Sequence, residues 1–229
     1  MEKRERHIIL GQYLKDMVFA ANDGVVTTFA VVAGVVGADL SITVILIIGL
    51  ASLLADGFSM ATGNYLGTKS EQDLYKMEER LEKEEIKKFP EHERQEIREI
   101  LAEKGYQGED LEKIVQLISS NERLWTDFMM HNELELYSPA GESPVRHALA
   151  TFLAFVVAGS IPLLPYFFGN GQFAVAAVFS GIALFTVGAL RKFFSDRSWL
   201  ISGLEMLLVG GSAAVIAYGI GALIKAFLG

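Results

Sequence analysis

Two carboxylates lie inside otherwise apolar stretches of the sequence, where an ionised side chain is costly. Asp23 lies within NDGVVTTFAVVAGVVGA, and Asp56 lies within LLADGFSMATGNYLG. A charge at bilayer depth costs roughly 2.5–3.5 kcal/mol on insertion scales, and such residues usually mark an ion or proton pathway. Met60 follows Asp56 by one helical turn, so a thioether and a carboxylate can share one helix face. This pair of ligand types predicts a membrane site for a divalent transition metal.

Structural roles are the alternative for the acids in the apolar segments. The Asp23 carboxylate could instead accept hydrogen bonds from serine or threonine hydroxyls on a neighbouring helix. A third acid, Glu205, lies near a predicted helix end, and we expect it to pair with Arg191 or Arg197. The metal interpretation is favoured for Asp56, because Met60 and Asn64 continue its helix face.

The middle of the chain concentrates further possible ligands. Positions 69–142 hold 20 of the 28 acidic residues and 11 of the 20 basic ones, so this block is strongly acidic. Acids that recur every three or four residues share a helix face on each of two predicted helices. They are Glu78, Glu82, Glu85, Glu93 and Glu96. Two such stripes repel each other unless cations lie between them; the alternative is a solvated acidic surface. The acidity excludes nucleic acid as a partner and favours cations.

The segment WTDFMMHNELEL adds sulfur to this acidic region. Met129 and Met130 precede Glu133 by about one helical turn, so thioethers and a carboxylate can converge. Core packing is the alternative role for both methionines. No Glu-x-x-His pair occurs, which argues against a ferritin-like di-iron oxidase. The chain has no cysteine, which excludes disulfides, zinc fingers and iron–sulfur ligation. No HExxH, P-loop, nucleophile elbow or Rossmann pattern is present, so we do not expect an enzyme.

Five apolar segments are long enough to cross a bilayer, which takes about 20 residues each. The first two cover 18–38 and 41–66, two more come from 148–190, and the fifth covers 199–224. The third and fourth are separated by a turn at 168–171. Pro162 and Pro165 are expected to kink or end the third helix. Lys and Arg are concentrated at the N-terminus and after the fourth segment, which predicts a cytosolic N-terminus, a cytosolic acidic block and an external C-terminus.

The acidic block itself is predicted to be helical. Nothing strong interrupts 41–88, so the second span is expected to continue as one long helix. Helices are then predicted over 91–104 and 109–119, and Asn121 is expected to cap a fourth that extends to Tyr137. The predicted fold is therefore an all-α polytopic membrane protein with five transmembrane helices and an inserted cytosolic helical metal-binding domain. Its domains are 1–66 and 146–229 in the membrane, with 67–145 inserted between them.

These motifs, in this order, resemble the vacuolar iron transporter family. The resemblance rests on DGVVTTFAVVAGVVGA, SMATGNYLGTKSE, the glutamate-rich helices and WTDFMMHNELEL, and it extends over nearly the whole chain. It implies five spans, a cytosolic helical metal-binding domain and a homodimer. It also implies the exchange of cytosolic Fe²⁺, and often Mn²⁺, for protons.

The resemblance also implies roles for individual positions. Asp23 and Met60 match the family's translocation ligands, and Met129 and Met130 match the methionines beside its cytosolic site. The glutamates that match its cytosolic metal-binding residues are Glu82, Glu85, Glu93, Glu96 and Glu133. One position departs from the plant-type pattern, which has a glutamate where this chain has Ser52. Asp56, one turn closer to Met60, is the only carboxylate in that span.

The functional hypothesis is an integral membrane antiporter that removes Fe²⁺ from the cytosol in exchange for protons. Mn²⁺, Zn²⁺ and Co²⁺ are further candidate ions, because thioether sulfur favours transition metals over Mg²⁺ and Ca²⁺. The location would be the cell membrane of a prokaryote or the vacuolar membrane of a eukaryote. The alternatives are a membrane-tethered iron-binding sensor, a di-iron oxidase and a membrane scaffold.

Overall fold

The structure is a computed structural model that describes residues 2–139, 141–168, 171–193 and 197–228, with side chains at position 11 and from position 13 onward. The described residues are helical wherever they form regular structure, and no strand occurs among them. The helices are α1 (Glu2–Gly37), α2 (Ile42–Lys88), α3 (Pro90–Glu103), α4 (Gly108–Ser119), α5 (Glu122–Asn132), α6 (Pro144–Gly159), α7 (Leu164–Phe167), α8 (Phe173–Leu190) and α9 (Trp199–Leu228). Short 3₁₀ segments cover Ile161–Leu163 and Arg191–Phe193.

The chain divides into two compact units, here called the membrane unit and the acidic unit. The membrane unit comprises Met1–Leu66 and Ser143–Gly229, and the acidic unit comprises Gly67–Glu142. Five helical stretches are long and apolar enough to cross a membrane, as the sequence predicts. They are Tyr13–Gly37, Ile42–Lys88, Pro144–Phe167, Phe173–Phe193 and Trp199–Leu228. The second of these is a single 47-residue helix, so the predicted long continuation of the second span is confirmed.

Glycine allows α1 to pack closely against two other helices of the membrane unit. A β-carbon added at Gly24 would lie 2.5 Å from the carbonyl oxygen of Phe155 on α6. One added at Gly221 on α9 would collide with the carbonyl oxygen of Gly34. In both places backbone meets backbone directly, which a larger residue would prevent.

The third span is interrupted where the sequence predicts a kink. α6 ends at Gly159, a 3₁₀ turn follows over Ile161–Leu163, and α7 then begins. Pro162 and Pro165 lie in this interruption, because each lacks an amide hydrogen and fits only the first turn of a helix. The predicted turn at 168–171 lies partly outside the described residues, since 169 and 170 are not described.

The acidic unit is held together by a small apolar core to which each of its helices contributes. The buried members are Ile86, Ile97, Leu101, Val115, Ile118, Trp125 and Met129. The Asn121 side chain caps α5, as predicted, by accepting hydrogen bonds from the amides of Arg123 and Leu124 at 3.1 Å each.

The prediction that the capped helix extends to Tyr137 is wrong, because α5 ends at Asn132. The amides of Leu134 and Leu136 return to the carbonyls of Met129 and Met130. Glu135 has a φ of 54°, in the left-handed region. This backbone reversal closes the helix five residues early and leaves Glu133 at its C-cap.

Candidate metal sites

Three of the predicted glutamates meet in the acidic unit. Glu82 on α2, Glu93 on α3 and Glu133 at the end of α5 each offer a carboxylate oxygen within 4.8 Å of the other two. Glu82 and Glu93 are each only 3% exposed, whereas Glu133 lies at the surface. We call these three residues the glutamate cluster. Two oxygens bound to one transition metal at about 2.1 Å lie at most about 4.2 Å apart, so small side-chain rotations would let one ion bind all three.

The helices that carry the cluster are fixed by contacts outside it. Lys87 on α2 pairs with Glu122 on α5 at 2.9 Å. The amine of Lys104, after α3, donates to Asn132 at the end of α5 at 2.5 Å. These contacts are exposed, so each adds little stability alone. The shared apolar core and these links together hold the three carboxylates near one another although they come from distant parts of the sequence.

Burial and mutual repulsion disfavour the charged form of these acids. Burial, with the charges of Glu93, Glu133 and Glu85, raises the pKa of Glu82 to about 8. Burial, with Glu96, Glu133 and Glu85, raises the pKa of Glu93 to about 7. The pKa of Glu133 is also raised, first by desolvation and then by Glu96 and Glu85. Without a cation, this arrangement therefore holds protons at neutral pH.

Two further features of the cluster favour a cation. Glu133 lies at the C-cap of α5, where the helix dipole is negative and stabilises positive charge. Oε1 of Glu82 is buried with no hydrogen-bond partner among the described residues, and a buried polar atom without a partner is costly. A divalent ion would neutralise the repulsion and satisfy this oxygen. The chemistry of the cluster is thus that of a carboxylate site for a hard or borderline metal.

The other predicted ligands of the acidic unit differ in how they interact with the cluster. Glu85 and Glu96 act on its members through their charges, so they lie near it. Glu78, one turn before Glu82 on α2, is not among the charges that act on Glu82. Met129 is fully buried in the apolar core, the packing role that is the alternative for methionine. Met130 is 1% exposed and lies outside that core cluster.

The predicted membrane ligands lie on α1 and α2 of the membrane unit. Asp23 on α1 and Asp56 on α2 are close enough for their charges to interact. Met60 packs against the core cluster that surrounds this part of α1 and α2. No hydrogen bond or ion pair to either carboxylate occurs among the described side chains. The Thr27 hydroxyl donates 2.8 Å to the backbone carbonyl of Asp23 rather than to its carboxylate, so a hydroxyl partner for the Asp23 side chain is not found in the described part of the chain.

Other polar residues of the membrane unit have structural partners. Glu205 accepts from Arg191 at 3.3 Å and lies 3.7 Å from Arg197, as predicted.

Asp56 itself is exposed in the single chain, although it lies in a span. Ser52, which stands where the plant-type pattern has a glutamate, is partly buried one turn from Asp56.

Comparison with known proteins extends these observations over the whole chain. The sequence profile of the VIT family matches residues 14–222. The chain belongs to the VIT family. The "Vacuolar iron transporter" of Centaurea cyanus is 36% identical over 221 residues, which cover 94% of this chain and 89% of that protein. "Vacuolar iron transporter 1" of Arabidopsis thaliana is 36% identical, covering 93% and 87%. The "Vacuolar iron transporter" of Toxoplasma gondii is 36% identical, covering 95% and 76%.

Membership of the VIT family agrees with the resemblance inferred from the motifs. Together with the five apolar helices, it supports an integral membrane protein.

One polar pair of this VIT-family chain is not predicted from the sequence. The buried His147 pairs with the partly buried Asp16, although the sequence separates them by 131 positions. One feature of the sequence points to this pair: Asp16 lies two turns before Asp23, on the same face of one helix.

Proposed function

We propose that this VIT-family chain exports Fe²⁺ from the cytosol in exchange for protons. The observation that carries this proposal is the glutamate cluster of the acidic unit, in which Glu82, Glu93 and Glu133 offer oxygens within 4.8 Å of one another. In the membrane unit, Asp23 and Asp56 are near enough for their charges to interact, and neighbouring carboxylates that are buried or at membrane depth favour either a divalent ion or protons. The relatives that the chain matches over most of its length are called vacuolar iron transporters, and this supports iron as the transported ion.

In this proposal the acidic unit lies in the cytosol and collects the metal. Glu82, Glu93 and Glu133 bind the ion, with Glu85 and Glu96 adding negative potential. Met130 is the candidate sulfur ligand, because it is buried in the last turn of α5, three residues before Glu133, and is not a member of the apolar cluster around Met129. The binding of metal displaces the protons that the cluster otherwise holds. The role of this unit is capture near the membrane rather than catalysis.

In the membrane unit, Asp23, Asp56 and Met60 then bind the ion during transport. Two neighbouring carboxylates at this depth cannot both stay ionised without a cation, so protons replace the metal when it leaves. One site therefore binds either one divalent ion or protons, and this alternation couples the two fluxes. The proposed orientation, from the distribution of Lys and Arg, has the N-terminus in the cytosol and the C-terminus outside.

The ligand set also bears on which metals are carried. Thioether sulfur favours Fe²⁺, Mn²⁺, Zn²⁺ and Co²⁺ over Mg²⁺ and Ca²⁺. Asp56 supplies the second carboxylate that Ser52 cannot. An aspartate is shorter than the glutamate of the plant-type pattern, so we expect a smaller or displaced site whose preference among these ions differs.

The test is Fe²⁺ uptake by proteoliposomes that contain the full chain, with and without an opposing pH gradient. The substitution Asp56→Asn keeps the size of the side chain and removes its charge. Gradient-driven uptake should therefore fall to the background of empty vesicles. Asp73→Asn is the matched control, since Asp73 is exposed on the same helix and outside both proposed sites. It should transport like the original chain.

Other outcomes separate the alternatives. Wild-type flux by Asp56→Asn would contradict the membrane site. Absence of flux from the unmodified chain, with oxygen consumed when Fe²⁺ is added, would indicate a tethered di-iron oxidase. Tight Fe²⁺ binding with neither flux nor oxygen consumption would indicate a sensor.

A further inference from the structure

A buried histidine pairs with a partly buried aspartate in the membrane unit, separate from the proposed metal ligands. His147, in the first turn of α6, is 5% exposed. Its Nδ1 lies 2.5 Å from Oδ2 of Asp16 on α1, and the ring of Tyr13 stacks on the imidazole with centroids 4.3 Å apart. Nε2 of His147 and the Tyr13 hydroxyl are both buried with no hydrogen-bond partner among the residues described.

The contact at Nδ1 determines which nitrogen of His147 can exchange a proton. An ionised carboxylate accepts hydrogen bonds and donates none, so the Nδ1 proton stays on the ring and points at Asp16. Nε2 is then bare in the neutral imidazole and protonated in the imidazolium. A carboxylate behind an imidazole fixes its tautomer and stabilises the imidazolium, as in catalytic triads.

Two ionisable side chains interact directly with His147 in the described part of the chain. Tyr13 and Asp16 of α1 are the ionisable side chains in contact with His147, as far as side chains are described. From α2, the uncharged Asn64 donates 2.7 Å to Thr151, one turn after His147 on α6. Arg146 is exposed. Among the described parts of α8 and α9, no ionisable group is paired with His147 or Asp16.

The position of the pair relates it to the proposed membrane site. Asp16 precedes Asp23 by seven residues on one continuous helix. At 1.5 Å per residue, the two side chains lie on nearly the same face about 10.5 Å apart along the axis. Asp16 faces His147, and Gly24 faces Phe155 further along both helices, so α1 and α6 run in the same direction. The pair therefore lies on the side of Asp23 that leads to the beginnings of both spans.

We propose that Asp16 and His147 form a proton-binding pair that conducts protons from Asp23 to the cytosol. This rests on the metal–proton exchange proposed above and on the cytosolic N-terminus. When a metal ion reaches Asp23, water molecules between the two sites carry the displaced proton over about 10 Å to Nε2 of His147, which becomes the imidazolium. That proton is then lost to cytosolic water, and neutral imidazole with its Nδ1 proton on Asp16 is restored. No electron moves, and one proton is taken and one released per cycle.

The first test measures protonation directly and does not depend on transport. The full chain, labelled with ¹⁵N-histidine and held in lipid nanodiscs, is titrated between about pH 5 and 8, the range in which histidine changes charge. The resonances of His147 are assigned by their loss in His147→Asn. Neutral His147 should carry its proton on Nδ1, and Nε2 should become protonated as the pH falls. In Asp16→Asn the Nδ1–H tautomer should lose its dominance.

The second test measures metal flux against the pH on the cytosolic side. His147→Asn keeps an amide donor near the position of Nδ1 but has no nitrogen that can take up a proton near neutral pH, so the dependence on this pH should flatten. Arg146→Gln is the control, because Arg146 is exposed beside His147 on α6 and lies outside both proposed metal sites, so it should leave the profile unchanged. A change in overall rate without a change in profile would indicate a merely structural contact.

The outcomes distinguish this proposal from the one on which it rests. A His147 that stays neutral throughout the titration, or a profile that His147→Asn leaves intact in a chain that transports, would overturn the proton-binding role. If the unmodified chain shows no exchange while Nε2 titrates as expected, the proposed function fails and proton binding by the pair stands.

Discussion

At the residue scale, the glutamate cluster links proton binding to the stability of the acidic unit. The pKa values of Glu82 and Glu93 in the folded chain, about 8 and about 7, lie above the ordinary 4.5. The folded state thus holds protons that the unfolded state has already released. This contribution is fully present below about pH 4.5 and is lost as the pH rises through about 7 to 8. The metal-free acidic unit is therefore expected to be less stable at pH 8 than at pH 5.

Hydrogen–deuterium exchange of the full chain in detergent can test this pH dependence. With chelator present and rates corrected for intrinsic pH effects, amides of α3 and α5 should be less protected at pH 8 than at pH 5. Fe²⁺ should restore protection at pH 8, since the ion replaces the protons. Glu82→Gln, which stays neutral, should lose most of both effects. Glu71→Gln, an exposed site on the same helix, should keep them; equal protection at both pH values in the unmodified chain would contradict the mechanism.

The sequence identifies Glu82, Glu93 and Glu133 as candidate ligands but does not predict that their side chains lie close together. Spacing alone places Glu82 and Glu93 on the faces of two helices, and the motif singles out Glu133. That the three lie within 4.8 Å of one another depends on the apolar core and on the early end of α5. That end results from the left-handed backbone at Glu135, which no strong sequence signal marks.

At the element scale, the membrane unit depends on close contact between α1 and α6. Gly24→Ala would place a β-carbon 2.5 Å from the Phe155 carbonyl oxygen and 3.2 Å from the Gly159 amide nitrogen. Because both are backbone atoms, the helices must separate, and we expect a loss of about 1–3 kcal/mol. The midpoint of thermal unfolding in detergent should fall accordingly.

Gly211→Ala provides the control for this contact. An added β-carbon at Gly211 on α9 would meet nothing within 4 Å, and alanine is the better helix former by about 1 kcal/mol. Its midpoint should be unchanged or higher. A midpoint for Gly24→Ala equal to that of the unmodified chain would show that the two helices adapt more easily than their packing indicates.

The helices themselves follow closely from the sequence. The lengths of the apolar segments predict the five spans, and the prolines predict the break after Gly159. The absence of a strong helix breaker predicts the long α2. The Asp16–His147 pair does not follow, because it requires the register between α1 and α6. That register is set by glycine contacts such as the one at Gly24, which a single sequence does not reveal.

At the scale of the whole molecule, the exposure of Asp56 bears on the oligomeric state. An acid in a span that faces lipid is costly and is normally covered by protein or lines a water-filled cavity. In the single chain, the face of α2 that bears Asp56 also exposes Ser59 and Gly63, one and two turns further along the helix. Of the possible covers, a second copy is the simplest. In a symmetric pair the same face of both copies meets at the two-fold axis, which would bring two Asp56 carboxylates into one site and complete its ligands.

Cysteine cross-linking can test this homodimer, since the native chain contains no cysteine. Gly63 lies two turns after Asp56 on the same face, is exposed, and has open space around its α-carbon. In lipid vesicles with a mild oxidant, Gly63→Cys should therefore form a disulfide-linked species of twice the chain's mass. Val178→Cys on α8, which is 59% exposed, should remain monomeric on denaturing gels. Cross-linking of Val178→Cys but not of Gly63→Cys would place the interface on another helix and leave Asp56 to be covered by water.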